Sequence, residues 1–335
     1  MPYRIVLAPG DGIGPEVTAA AQRVIAATGI EIEWSERQIG AGAFETLGSP
    51  LPAETLEAIR AADATLKGPT ATASGGGYRS VNVELRQKLQ LYANYRPARS
   101  MPGIVSRYDN VDLIVVRENT EGLYSGLEHT VVPGVVESLR VITQVASERI
   151  ARFAFDTARR QGRGRVTCVH KANILKLSDG LFLDTCRQVS EEFKDIAFDD
   201  CIVDAAAMKL VLDPKNFDVL VMENLFGDIL SDLASGLVGG LGVTPSANIG
   251  AHGSVFEAVH GTAPDIAGKG LANPTAIILS GVLMLRYLGE KQAADRIEEA
   301  VRGVIGAAET VTGDLGGSAG TDEYTDAVIA AMTNN

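Results

Sequence analysis

Short apolar runs alternate with amphipathic stretches from the start of the chain. YRIVLA, residues 3–8, reads as a buried strand and PGDGIGPE as a turn. VTAAAQRVIAATG reads as a helix opened by Pro15, and EIEWSERQI as a second strand. The order is that of a βαβ unit. PAETLEAIRAA predicts a further helix leading into the strand DATLKG, after which KGPTATASGGGYRS, rich in Gly, Thr and Ser, predicts a loop open to a ligand.

From position 111 the pattern changes. VDLIVVREN is a strand, and EGLYSGLEHTVVPGVVESLRVIT predicts paired β segments broken at Pro133 and Gly134, an arm that need not belong to the first sheet. Alternation then resumes through SERIARFAFDTARRQG, RVTCVHK, DGLFLDTCRQVSEEF, FDDCIVD, FDVLVMEN and GDILSDLASGL. A Gly-rich run follows, and the C-terminal third is helical in NPTAIILSGVLMLRYLG and EKQAADRIEEAVRGVI. There are no repeats or charged linkers. The pattern predicts an α/β protein with an inserted domain.

Composition narrows the function. The 335 residues carry a formal charge of -12 and no long basic run, which argues against nucleic acid as a partner. The first apolar run ends at Pro9, too soon for a signal segment or membrane span, so a soluble cytoplasmic or matrix protein is expected. Cys168, Cys186 and Cys201 lack metal-ligand spacing and are expected to be reduced, structural thiols. Against the acidic background, Arg86, Arg96 and Arg99 fall within fourteen residues, just after Ser80 and Asn82.

Asp228 and Asp232 are four apart in a predicted helix, so their carboxylates share a face and could hold a hard cation such as Mg²⁺. Spacing alone equally allows a dipole-stabilised Asp228 and a solvated Asp232. Tyr124 and Lys171 become acid/base candidates only beside a metal or arginines. His260 opens HGTAPDIAGKGLANP, a polar loop running into a helix whose free N–H groups could receive phosphate. Neither GxGxxG nor GxxxxGK[ST] occurs.

Taken together, GDGIGPEV, RENTEGLYSG, VHKANI, GDILSDL and HGTAPDIAGKGLANPTA resemble the isocitrate and isopropylmalate dehydrogenases, in the family's order and nearly end to end. RSVNVELRQ is similar to the isocitrate version, and YSGLEH, HKANILKLSDGLF and LGGLGVTPSANIG to the NAD-dependent enzymes.

The resemblance implies an α/β fold with a large domain from residues 1–99 and 252–335 around a small domain of residues 100–251 that carries a β arm for dimerisation. It implies oxidative decarboxylation of isocitrate to 2-oxoglutarate, as in the tricarboxylic acid cycle. Arg86, Arg96 and Arg117 would hold the malate carboxylates, and Ser80 and Asn82 would face the third carboxylate, where isopropylmalate enzymes carry apolar residues. Arg99 matches no site position and is read as surface or structural.

Mg²⁺ or Mn²⁺ would be held by Asp228 and Asp232 with Asp204 of the other subunit. Lys171, also from the partner, would take the C2 hydroxyl proton, and Tyr124 would protonate C3. The expected assembly is thus a homodimer with shared active sites, with room for a higher oligomer. Asp265 and Ile266 stand where NADP enzymes carry Lys and Tyr, which implies NAD, since a carboxylate binds ribose hydroxyls and repels a 2'-phosphate. His260, Gly261, Thr262, Ala263 and Asn273 would form the adenosine pocket, with Thr70 near the nicotinamide and Asp314 a further candidate. Homoisocitrate is an alternative substrate, one methylene longer. A non-catalytic regulatory subunit is an alternative of another class, opposed by the presence of every site residue.

Overall fold

A computed structural model describes residues 1–71 and 80–333. The strands are β1 (Tyr3–Ala8), β2 (Ile32–Glu36), β3 (Ala64–Lys67), β4 (Ala93–Arg99), β5 (Asp112–Glu118), β6 (Gly122–Val132), β7 (Val135–Val141), β8 (Arg165–His170), β9 (Ala197–Ile202), β10 (Val219–Met222), β11 (Pro245–Ile249) and β12 (Ser254–Ala258). The α-helices are α1 (Gly14–Ala26), α2 (Ala41–Leu47), α3 (Ala53–Ala61), α4 (Val81–Lys88), α5 (Gln144–Arg160), α6 (Ser178–Ser190), α7 (Val203–Leu212), α8 (Asn224–Leu237), α9 (Thr275–Tyr287), α10 (Lys291–Ala307) and α11 (Thr321–Thr333).

Ten strands form one sheet in the order β2-β1-β3-β12-β11-β4-β5-β10-β8-β9. Strands from the two chain ends occupy one flank and strands from the middle of the chain the other. Within each flank the pairing is parallel, whereas β11 is antiparallel to both β12 and β4, and β4 is antiparallel to β5. The two parallel flanks therefore run in opposite directions. The inner strands β3 and β10 have no exposed residue, so both their faces are covered; β10, VLVM, is accordingly a continuous apolar run, whereas β3, ATLK, buries Thr65 and Lys67.

Helices α1, α5, α6, α9 and α10 supply much of the main apolar cluster, and a second cluster packs α7 and α8 against β5, β8 and β10. Helix α5 keeps its apolar stripe inward and is capped by Thr143, whose Oγ1 accepts the Ala146 N–H at 3.2 Å. The arm is the hairpin β6–β7, separate from the large sheet. Gly134 lies in its turn with φ 85°, a conformation that favours glycine. The hairpin leaves Leu127, Val131, Val132, Val135, Val136 and Leu139 exposed. Cys168, Cys186 and Cys201 are free and buried, as expected. Of the loop expected after DATLKG, residues 72–79 lie outside the described residues.

Candidate active site

Three arginines converge at the centre of the sheet, where strand direction reverses. Arg96 projects from β4, Arg117 from β5 and Arg86 from α4, and all three are buried. Helix α8 presents the partners. Its residues Asn224, Asp228 and Ser231 recur at helical spacing, and Asp232 follows on the same side.

Asn224 Oδ1 accepts Arg117 Nε and Nη2 at 3.0 and 2.7 Å, and Arg117 Nη1 donates to Asp228 Oδ1. Arg96 Nη1 donates to Ser231 Oγ at 2.7 Å and to Asp232 Oδ1 at 2.9 Å. The approach of Arg117 depends on Gly227: a Cβ there would lie 2.4 Å from Arg117 Cγ. Tyr124 of β6 completes the group. Its hydroxyl donates to Asp228 Oδ2, and the Arg117 guanidinium lies 5.0 Å from its ring centroid.

The charges act on one another. Burial pushes the Arg86 guanidinium down to about 10, and the nearby Arg117 adds to the effect, so Arg86 stays charged at neutral pH. Arg96 is lowered by the same two causes. Arg86 Nε and Arg96 Nε are buried and have no hydrogen-bond partner. Crowded, partly unpartnered guanidiniums are a site for an anion, and their planar forks suit carboxylates. Burial would raise the Asp228 carboxyl, but Arg117, the Tyr124 hydroxyl and Arg96 outweigh it and hold Asp228 below its ordinary value, ionised. The Tyr124 hydroxyl is raised by burial and by Asp228, so it carries its proton at neutral pH.

Ser80 and Asn82 lie at the start of α4, one turn before Arg86. Asn82 Oδ1 accepts the Thr70 hydroxyl at 3.3 Å, which places Thr70 against the start of α4. Behind them is a polar layer that the sequence did not reveal. Lys67, Glu257, Asn248, Asn94 and Asn119, from β3, β12, β11, β4 and the turn after β5, are all buried: Lys67 and Asn248 donate to Glu257, and Asn94 and Asn119 both donate to Asn248 Oδ1. Arg86 Nη2 stands 3.6 Å from Glu257. Their sequence positions are far apart, and only the strand order brings them together. Asn224 and Ser231, by contrast, could have been found from the polar stripe they share with Asp228.

Lys171 follows β8 and Asp204 begins α7; the two form an ion pair with each other. Neither has a hydrogen bond or ion pair to Asp228 or Asp232, and among the described residues no group of three or more His, Cys, Asp or Glu could hold a metal. The expected three-aspartate set is thus divided. Asp228 and Asp232 alone still fit a hard divalent cation, which takes one or two carboxylates with water and substrate oxygens. Asp232 accepts Arg96 while its side chain stays 53% exposed, so it is both solvated and tied to the cluster. Arg99 pairs with Asp112 and Glu298 and takes no part.

A cavity of about 470 Å³ opens beside the loop that precedes α9 and is lined by His260, Gly261, Ala263, Ile266 and Asn273, together with Ile13 and Asp314. Thr262, Asp265 and Thr70 are not among its lining residues. The Thr262 carbonyl instead accepts the Ile13 N–H at 2.9 Å, fixing the loop to the β1–α1 turn, and Asp265 is exposed. Burial lowers His260, leaving it neutral at pH 7. With its Nδ1–H donating to Gly261 O at 3.0 Å, Nε2 remains as a buried acceptor without a partner. Asn273 Nδ2 donates to Asp314 Oδ2 at 2.9 Å, and Asn273 Oδ1 accepts the N–H and hydroxyl of Thr275 at the start of α9. An apolar cavity edged by oriented amide, imidazole and carboxylate groups fits a nucleoside.

The family model described as isocitrate/isopropylmalate dehydrogenase matches residues 4–328. Isocitrate dehydrogenase [NAD] catalytic subunit 5, mitochondrial, of Arabidopsis thaliana is 53% identical over 328 residues, covering 98% of this chain and 88% of that protein. The chloroplastic 3-isopropylmalate dehydrogenase of Solanum tuberosum is 54% identical over 299 residues, covering 89% and 84%. The crystal structure of isocitrate dehydrogenase from Methylococcus capsulatus superposes with a TM-score of 0.95 at 54% identity, covering 98% of this chain and 99% of that one.

Proposed function

The chain belongs to the isocitrate/isopropylmalate dehydrogenase family, and from that premise we propose that it oxidatively decarboxylates isocitrate to 2-oxoglutarate and carbon dioxide with NAD as oxidant. The observation that carries this reading is the buried triangle of Arg86, Arg96 and Arg117, bordered by Ser80 and Asn82 and faced by Asp228 and Asp232. Three guanidiniums suit the two malate carboxylates, and the polar pair beside them suits a third. Ser80 and Asn82 offer hydrogen-bonding groups that a carboxylate can use and an isopropyl group cannot.

In this reading Arg86, Arg96 and Arg117 fix the malate carboxylates, and Ser80 and Asn82 meet the third. Lys171 would take the C2 hydroxyl proton and Tyr124 would deliver a proton to C3 after decarboxylation; NAD, when bound, would supply the hydride acceptor. Asp228 and Asp232, completed by Asp204, would hold Mg²⁺ or Mn²⁺, which when bound supplies Lewis-acid polarisation of the substrate oxygens. His260, Gly261, Ala263, Ile266 and Asn273, with Thr262, Asp265 and Thr70 nearby, would receive NAD.

The pairing of Lys171 with Asp204, away from Asp228, supports sites shared between two subunits, with the exposed apolar hairpin β6–β7 as the dimerising arm. The Arabidopsis relative is named as a catalytic subunit, so the second subunit is a copy of this chain or a related chain. The opposed sheet flanks support a large domain built from both chain ends and a small domain from the middle, proposed as residues 1–99 with 252–335 and residues 100–251, although β11 crosses that division by lying between β12 and β4. Among the described residues no helix is long and apolar enough to cross a membrane, and an aqueous compartment, cytoplasm or organelle matrix, is the proposed setting.

Steady-state rates with isocitrate, homoisocitrate, 3-isopropylmalate and D-malate, each with NAD and with NADP, test the assignment. Isocitrate with NAD should give the highest kcat/KM. Preference for homoisocitrate or isopropylmalate would overturn the substrate, and turnover appearing only after a second chain is added would favour a regulatory subunit. Asn82→Leu should lower isocitrate kcat/KM at least about tenfold, because a site built to hydrogen-bond its substrate loses that partner.

A further inference from the structure

One guanidinium links the segments that carry the two halves of the candidate chemistry. Arg140 lies on β7 of the arm, and its side chain is nearly buried. Its Nη1 donates to Asp179 Oδ1, and its Nη2 stands 3.4 Å from Glu223 Oε1. Each carboxylate is almost fully buried, and each holds backbone. Asp179 Oδ2 accepts the Lys171 N–H at 2.5 Å, fixing the chain where it leaves β8. Glu223 is the N-cap of α8, accepting the Leu225 and Phe226 N–H groups at 3.2 and 3.0 Å. The guanidinium also sits 5.1 Å from the Phe226 ring centroid, so its plane is held from a third side.

Two carboxylates buried this close would repel each other without a cation between them. A lysine ammonium is a point charge and cannot span both, whereas a planar fork can. We propose that Arg140 is a positioning residue: through Asp179 and Glu223 it fixes the backbone of Lys171 and the first turn of the helix bearing Asp228 and Asp232 in one relation. The arm thereby sets catalytic geometry as well as offering an apolar surface. The inference rests on the reading of Lys171 as base and α8 as metal-bearing helix.

The test uses the full chain and its Arg140→Gln and Arg140→Lys variants. Hydrogen exchange followed by mass spectrometry reads the amides that Asp179 and Glu223 accept. In Arg140→Gln, exchange should rise in peptides spanning 171–175 and 224–228 together, while β10 at 219–222 stays protected. Arg140→Lys should restore the first segment and leave the second fast, and it carries the test if Arg140→Gln does not fold.

With isocitrate, NAD and Mn²⁺, Arg140→Gln should lower kcat at least tenfold with KM changed less than twofold. Unchanged exchange in both segments, loosening of one alone in Arg140→Gln, or a raised KM at constant kcat would overturn the proposal. A wild-type chain that fails to turn over isocitrate would defeat the functional reading instead, and the exchange comparison would still decide whether Arg140 ties the two segments.

Discussion

Lys67 and Glu257 form an ion pair wholly inside the protein, Nζ to Oε2 2.5 Å, on neighbouring strands and next to Arg86 of the arginine cluster. Burial alone would raise the Glu257 carboxyl, but Lys67 and Arg86 outweigh it and bring it down to about 2. A depressed carboxyl contributes stability that is complete above its ordinary value of 4.5 and is lost as pH falls toward about 2.

Glu257→Gln leaves Lys67 buried without a counter-charge, and removing one partner of such a pair costs about 3–5 kcal/mol. Urea denaturation at pH 7 should show a loss of that size. In wild type, the denaturation midpoint should fall between pH 4.5 and about 2 more steeply than in the variant. A midpoint within error of wild type at pH 7 would show that the pair is not stabilising.

Tyr124→Phe removes the proton donor and keeps the ring that packs beside Arg117. Turnover of isocitrate should fall by about 10²–10⁴, the usual size of a general-acid contribution. Thermal unfolding should move little. A variant retaining most of its rate would remove Tyr124 from the chemistry.

Asp265→Lys with Ile266→Tyr should weaken NAD use and admit NADP. The mechanism is electrostatic: the exposed carboxylate becomes an ammonium able to meet a 2'-phosphate, so the gain should shrink as salt rises. The ratio of kcat/KM for the two cofactors measures it, and an unchanged ratio counts against the placement of the ribose.

Lys171→Met and Asp228→Asn should each be inactive alone. If each site takes Lys171 from one subunit and Asp228 from the other, mixed dimers contain one intact site. Half of randomly mixed dimers are hybrids with one working site of two, so co-refolding should recover about one quarter of wild-type activity. No recovery, with hybrid dimers demonstrated, would place both residues in one chain's site.

Legibility followed sequence distance. Strands β5 and β10 and the helices α8 and α9 announced themselves through unbroken apolar runs or helical period, and the arm through its Pro-Gly break. The sheet order was not readable, because β11 pairs not only with the adjacent β12 but also with β4, a segment far earlier in the chain. Site residues on one element, such as Asp228 and Asp232, were visible as spacing. Lys67, Glu257, Asn94 and Asn248 were not, since a lone polar residue in an apolar strand has no signature until its neighbours are known. The resemblance supplied roles that periodicity could not, yet it did not disclose Arg140, whose partners come from two segments far from it and from each other in sequence.

Gly227 carries no side chain, and the space a Cβ would need is filled by the Arg117 side chain along its Cβ, Cγ and Cδ. Its tolerance of change is therefore set by a residue it does not neighbour in sequence. In a library of random variants this position should accept nothing larger than hydrogen, although it sits on a helix where alanine ordinarily improves stability. A helix former would be favoured locally and rejected by the arginine packed against it, so the missing methyl group marks where tertiary packing has prevailed over helix propensity.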